Sequence, residues 1–190
     1  MTAETLTAIA SIVTAAVIAA TAAAALIQLR HMRSANTLNA MLTLRSTFNE
    51  APFVDAVNRL RGDAALRALD DPEFCKLVLR EVGNPSDELR ALYRSVMLVA
   101  NWYEIFGSLV LQRVISMRDI GDNYASVIDL HWGQTQAVID YMRRKMNDDA
   151  YYEMFECLTV FSRNWLRDHP SVYPLNVPRI LERSASASPH

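Results

Sequence analysis

Residue types that build covalent or phosphate-binding sites are scarce in this chain. Only two cysteines occur, Cys75 and Cys157, far apart and outside any paired motif. Neither a disulfide framework nor a thiolate zinc site can be read from them. Two lone thiols suit a reducing compartment. Glycine is almost as rare, with Gly62, Gly83, Gly107, Gly121 and Gly133 widely separated. No glycine-rich loop could cradle a phosphate. Basic excess is missing too: 19 Lys and Arg face 21 Asp and Glu, for a net charge of -2. That balance argues against nucleic acid as the main partner, which leaves a basic footprint on proteins that bind it. Strand-like alternation and internal repeats are also absent, so the chain reads as all-α.

The most informative absence lies near the start. From Thr5 to Leu29 there is no Asp, Glu, Lys, Arg, His, Pro or Gly. About 20 predominantly apolar residues suffice to cross the hydrocarbon core of a bilayer as a helix. At about 1.5 Å per residue this run reaches roughly 37 Å. Its strongly apolar residues, such as Ile12, Val13, Val17, Ile18 and Leu26, contribute roughly -3 to -5 kcal/mol towards insertion. The many alanines add little, so insertion is favourable but not overwhelming. A cleaved signal peptide would want a positive amino-terminal region, and this one reads Met1-Thr2-Ala3-Glu4. A soluble core helix this long, uncharged all round, would need protein on every side. A membrane span is the best reading.

Flanking charge sets the expected orientation. No Lys or Arg precedes the run, whereas Arg30, Arg33 and Arg45 follow it, with no acid until Glu50. The positive-inside rule then places the amino terminus outside and the rest in the cytosol. One face of the span is small throughout: Thr7, Ser11, Ala15, Ala19 and Ala23. Small residues at four-residue spacing let membrane helices approach closely, so a homo-oligomer could form along this face.

The remainder divides at its breakers. The expected units are a membrane helix over 1–29, a juxtamembrane helix over 30–50, a cytosolic helical bundle over 51–169 and a disordered tail over 170–190. With no Pro or Gly between Leu29 and Glu50, the first two units are compatible with one long helix. Leu38, Met41, Leu42, Arg45 and Phe48 sit at helical spacing there. Pro52 suits a helix start. Phe53, Val54, Val57 and Leu60 then share a face, and a short piece with Leu66 and Leu69 follows. Asp71 before Pro72 and Ser86 before Asp87 are helix caps. From Ser86 to about Val114 a helix carries Leu89, Leu92, Val96, Ala100, Tyr103, Phe106 and Val110 on one face. Leu98, Trp102, Ile105 and Leu109 lie almost opposite, which predicts a central helix enclosed by others. Ser116 and Asp119 approach capping-box spacing. The next helix carries Tyr124, Ile128, Trp132, Thr135, Ile139 and Met142 and ends in Arg143-Arg144-Lys145. Asn147 or Asp148 is expected to start the last helix, with Tyr151, Met154, Phe155, Leu158 and Trp165 inward and His169-Pro170 at its end.

Catalysis needs convergent groups, and few are available. Of the four histidines, His31 lies at the membrane edge, His169 at a helix end and His190 at the terminus. His131 sits beside Ile128 and Trp132, where a satisfied core or boundary histidine is the better reading. No Glu-x-x-His pair supports a carboxylate-bridged metal site. Glu104 borders the densest apolar face and needs a cation or several donors. Arg143 or Arg144 on the next helix could supply the charge, giving an ion pair that fixes register. Trp102 and Trp132 read as core aromatics before they read as a ligand cage. No catalytic, cofactor or metal residue is assigned.

The order of these features, with the run from Asn101-Trp102-Tyr103-Glu104-Ile105 to Val110, resembles a bacterial family built on a domain of unknown function, family 4760. That resemblance places an aromatic-x-Glu run in a central helix, followed in the next helix by a Trp and an Arg. Trp132 and Arg143 or Arg144 occupy those positions here. It implies an inner-membrane, single-pass helical protein and brings no activity with it. The expectation is a membrane-anchored interaction or regulatory module whose partners are the bilayer and an unidentified protein. The alternatives are a membrane-tethered enzyme using Glu104 and His131, or an oligomeric membrane assembly.

Overall fold

The computed structural model describes residues 3–171. Among the described residues every regular element is helical. The tail over 170–190 falls almost wholly outside the described residues, as does His190. The elements are α1 (Ala3–Asn49), α2 (Ala51–Arg59), α3 (Ala64–Ala68), α4 (Pro72–Val78), α5 (Asp87–Leu111), α6 (Met117–Met146) and α7 (Glu153–Asp168).

Helix α1 is continuous for 47 residues. No Gly or Pro interrupts it, and alanine is the best helix former. Its two ends meet different surroundings. From residue 11 to residue 32 every side chain is exposed, with Ile12, Val17, Ile18 and Leu26 more than half accessible. Its last turns instead join the body, where Leu44 is buried and Met41 and Phe48 are partly so. Leu38 and Leu42, expected on the same face, are exposed. The docked stripe is shifted to Met41, Leu44 and Phe48, at i, i+3 and i+7.

The body is a three-helix unit with short helices around it. Helix α6 runs antiparallel to α7: Arg143 pairs with Glu156, Asp129 with Arg163, and Asp122 with Trp165. Helix α7 runs parallel to α5, since Tyr152 bonds Asn101 and Phe155 bonds Glu104. The end of α1 lies antiparallel on α5. The Thr37 hydroxyl donates to the Val114 carbonyl at 3.1 Å, and the rings of Phe48 and Trp102 are 4.4 Å apart. Helix α2 packs on α5 through Phe53, Ala56 and Leu60, and α3 packs on α6 through Ala65 and Ala68. Of the two leucines of that short piece, Leu69 packs against the core and Leu66 is exposed.

Helix boundaries follow local chemistry. Asp71 accepts from the Glu73 N–H at 2.8 Å and Ser86 from the Leu89 N–H at 3.3 Å, each filling an orphan donor of a first turn. Asp119 accepts from the backbone N–H and the hydroxyl of Ser116. Asn147 does not start α7; it ends α6 with a φ of 51°. Asparagine tolerates this left-handed region, which suits a helix terminus. The α7 start falls at Glu153, after Tyr152 at φ 56°.

The expectation of an enclosed α5 is only half met. Tyr103, Phe106, Val96 and Ala100 are fully buried, but Ile105 is 64% exposed and Leu98 40%. On that second face Phe48 of α1 and Phe53 of α2 meet Trp102, while its neighbours Leu98 and Ile105 stay open.

Two glycines set the helix spacing. A Cβ on Gly107 would collide with the Met154 carbonyl oxygen, and one on Gly121 would collide with the Trp165 indole. Gly133 has open space around it. Gly107→Ala should therefore destabilise the body by about 1–3 kcal/mol or more, as overpacking does. Gly133→Ala, in the interior of α6, should stabilise by up to about 1 kcal/mol. Thermal unfolding of the two variants beside the parent checks both signs.

Candidate functional site

The densest chemistry in the body gathers around Tyr103. Its ring stacks on Phe155 of α7 at 4.6 Å and 13°, and Trp132 of α6 meets Phe155 edge-on at 5.0 Å. Phe48 of α1, Phe53 of α2 and Phe106 lie within 6.4 Å of Tyr103. Offset and edge-to-face pairs of this kind add about 0.5–1.5 kcal/mol each beyond burial. Five helices thus share one aromatic cluster.

A polar pair sits inside it. The Tyr103 hydroxyl and His131 Nδ1 are 2.8 Å apart, both buried. Burial pulls the His131 pKa down to about 4 and pushes the Tyr103 phenol well above its usual value. Both are therefore neutral at physiological pH. A histidine held this way accepts a proton too reluctantly for a general base near neutrality. What the pair does is satisfy two buried polar groups across α5 and α6. The other buried hydroxyls donate within their own helices: Ser95 to the Ala91 carbonyl, Thr135 to His131, Thr159 to Phe155 and Ser162 to Leu158.

Glu104, one residue on, turns elsewhere. Its Oε2 accepts from the Phe155 N–H at 3.0 Å, so the carboxylate caps the first turn of α7. The expected ion pair with Arg143 or Arg144 is replaced by this contact. A carboxylate beside a helix N-terminus meets orphan N–H donors and the positive end of the dipole, and needs no cation. Arg143 donates from Nε to the Tyr151 carbonyl at 2.9 Å and from Nη1 to Glu156 at 2.7 Å, tying the α6 end to α7. Arg144 is exposed.

The candidate residues therefore divide into three places. Trp102 and Trp132 belong to the aromatic cluster, Glu104 and Arg143 tie down the α6–α7 connection, and Ser11, Ala15, Ala19 and Ala23 lie exposed on α1. Glu104 and His131, the working pair of the enzyme alternative, each have a separate structural partner. Among the described residues no cluster of three or more His, Cys, Asp or Glu could hold a metal ion. Sequence reasoning placed Tyr103 on a core face but missed it as the His131 partner. The signal would have been two polar groups facing one another from neighbouring apolar helix faces.

Two outcomes check these assignments. Because His131 is neutral in the fold and ordinarily basic when unfolded, the unfolded chain binds the extra proton. Stability should be complete above about pH 6.5 and fall as pH drops towards 4. His131→Gln should flatten that slope in urea titrations across the window, even if it lowers stability throughout. Glu104→Ala should cost about 1 kcal/mol, the usual worth of a lost cap. Hydrogen exchange would locate the loss at the first turn of α7.

Comparison with known proteins places these elements together in one family. The profile of the family described as Domain of unknown function (DUF4760) matches residues 12–161, from inside the apolar part of α1 to the middle of α7. No curated protein and no solved structure matches the chain. The matched stretch contains Tyr103, Glu104, His131, Arg143 and Phe155, and on that match the chain belongs to the DUF4760 family.

Proposed function

We propose that this chain is a single-pass membrane-anchored protein whose helical body serves as an interaction or regulatory module at the cytoplasmic face. The observation that carries the reading is the contrast along α1. It is the one helix among the described residues long and apolar enough to cross a membrane, and none of its apolar window is covered by protein. An uncharged helix left bare in water would expose apolar area far beyond what a soluble monomer tolerates. A bilayer supplies the missing cover. Arginines on the body side of the run favour a cytoplasmic body, and the family resemblance adds an inner-membrane address. The body itself offers structural partners for each ionisable group in its core, which favours binding over catalysis. Its uncovered apolar residues on α5, Ile105 and Leu98, are where an unidentified protein partner would act.

The bareness of Ser11, Ala15, Ala19 and Ala23 favours a second contact in the same plane, between copies of α1. In cells, the protein should stay with membranes through alkaline carbonate washing, and a cysteine reagent confined to the outside should not reach Cys75. Recovery in the soluble fraction would overturn the anchor. Replacing Ala15 and Ala19 by Leu should abolish cross-linked oligomers, and unchanged cross-linking would rule that face out.

A further inference from the structure

We propose that the α5–α6 turn is a second membrane contact, seating Leu111, Arg113 and Val114 against the headgroups of anionic phospholipids in the leaflet that α1 leaves. The proposal rests on the reading of α1 as a span. Its geometric basis is the continuity of α1 from Ala3 to Asn49, with no hinge between the apolar run and the body. The height of the body above the bilayer is therefore set by helix rise. Thr37, bonded to the Val114 carbonyl, lies eight residues beyond Leu29, about 12 Å along the axis. The headgroup layer occupies roughly 5–8 Å on each side of the hydrocarbon core. The apolar run exceeds the core thickness and so favours a tilt, and a tilt towards α5 brings the turn nearer the headgroups. An extended arginine side chain closes the remaining distance.

The turn has the composition such a position calls for. Leu111 is 51% exposed and Val114 36%, with exposed Arg113 between them. Arg113 holds a φ of 59°, which reverses the chain sharply after α5. Two grooves meet at this residue. One, of about 540 Å³, is mainly apolar and includes Leu111, Ile115, Met117 and Phe161. The other, of about 500 Å³, lies between the turn and Asn36 and Thr37. A cation set between an apolar and a polar groove matches a phospholipid, whose charged headgroup and acyl chains part at the same level. Arg30, after the apolar run, adds charge of the same sign. The cytoplasmic leaflet, to which the flanking arginines assign the body, carries the negative surface potential that attracts them. Seated this way, the body would be held in one orientation and present the α5 face of Ile105 sideways along the membrane.

The test uses the full chain reconstituted in vesicles of phosphatidylcholine with or without phosphatidylglycerol. A polarity-sensitive fluorophore is attached singly at Leu111→Cys, Val114→Cys, Val17→Cys or Val82→Cys, in a Cys75→Ser, Cys157→Ser background. Val82, 99% exposed, lies at the opposite end of α5, about 36 Å away by helix rise. The expected result is loss of quenching by a soluble quencher at 111 and 114 in phosphatidylglycerol vesicles, with Val82 fully quenched. Arg113→Gln should cut the docked fraction about fivefold. Labels at 111 and 114 as accessible as Val82, with Val17 protected, would overturn the second contact and leave the span intact. A quenched Val17 would overturn the span itself. Equal protection without phosphatidylglycerol would overturn the assignment to anionic lipid. Hydrogen exchange of residues 111–116 in the unlabelled protein should be slower in phosphatidylglycerol vesicles than in neutral ones. Equal exchange in the two would count against the contact without any substitution.

Discussion

The body is organised around one buried ring. Tyr103 brings a large aromatic surface and a hydroxyl into a place without water. The aromatic surface is what α1, α2 and α7 pack against through Phe48, Phe53 and Phe155. The hydroxyl requires a partner, because an unpaired buried polar group costs about 1–3 kcal/mol. His131 is that partner, and the bond fixes the rotation of α6 relative to α5. A slip of either helix by one residue would turn one polar group into an apolar wall. Gly107 complements this constraint one turn further on, where the absence of a side chain lets the α7 backbone touch α5 and brings the Phe155 N–H to Glu104.

A second constraint is the stiffness of α1. Its apolar part and its docked part belong to one helix, so whatever surrounds the first also positions the second. A flexible linker would have uncoupled them. The contact from Thr37 to the end of α5 and the ring contact from Phe48 to Trp102 hold the docked part at two points along its length. Helix α1 therefore acts as a rigid post, and the orientation of its apolar part is passed directly to the aromatic cluster.

Much of this organisation was legible in sequence where the signal is local. The apolar run, the caps at Asp71 and Ser86, and the buried face of α5 from Val96 to Val110 depend on residues within a turn or two of one another. Where reading from sequence went astray, the deciding contact came from elsewhere in the chain. Glu104 looked in need of an arginine because its helix is apolar, yet the start of α7 supplied backbone donors instead. Asn147 looked like a helix start, and only the reversal into α7 made it a left-handed terminus. The α5 face of Leu98 and Ile105 looked destined for burial, but Phe48 and Phe53 settle on Trp102 and leave both exposed.

The amino-acid sequence by itself determined that this protein is helical and that the run from Thr5 to Leu29 is apolar, uncharged and followed by positive charge. Those properties are sums over neighbouring residues, and helix periodicity and transfer free energy need nothing more distant. Only the tertiary structure decided which polar groups meet, because Tyr103 and His131, or Glu104 and Phe155, become neighbours only when three helices pack at one spacing. The same packing decided that the end of α1 docks on α5 and that the α5–α6 turn stands beside Thr37, about two turns beyond the apolar run. Docking of the Met41, Leu44 and Phe48 stripe buries apolar surface that no local rule could assign to a partner helix.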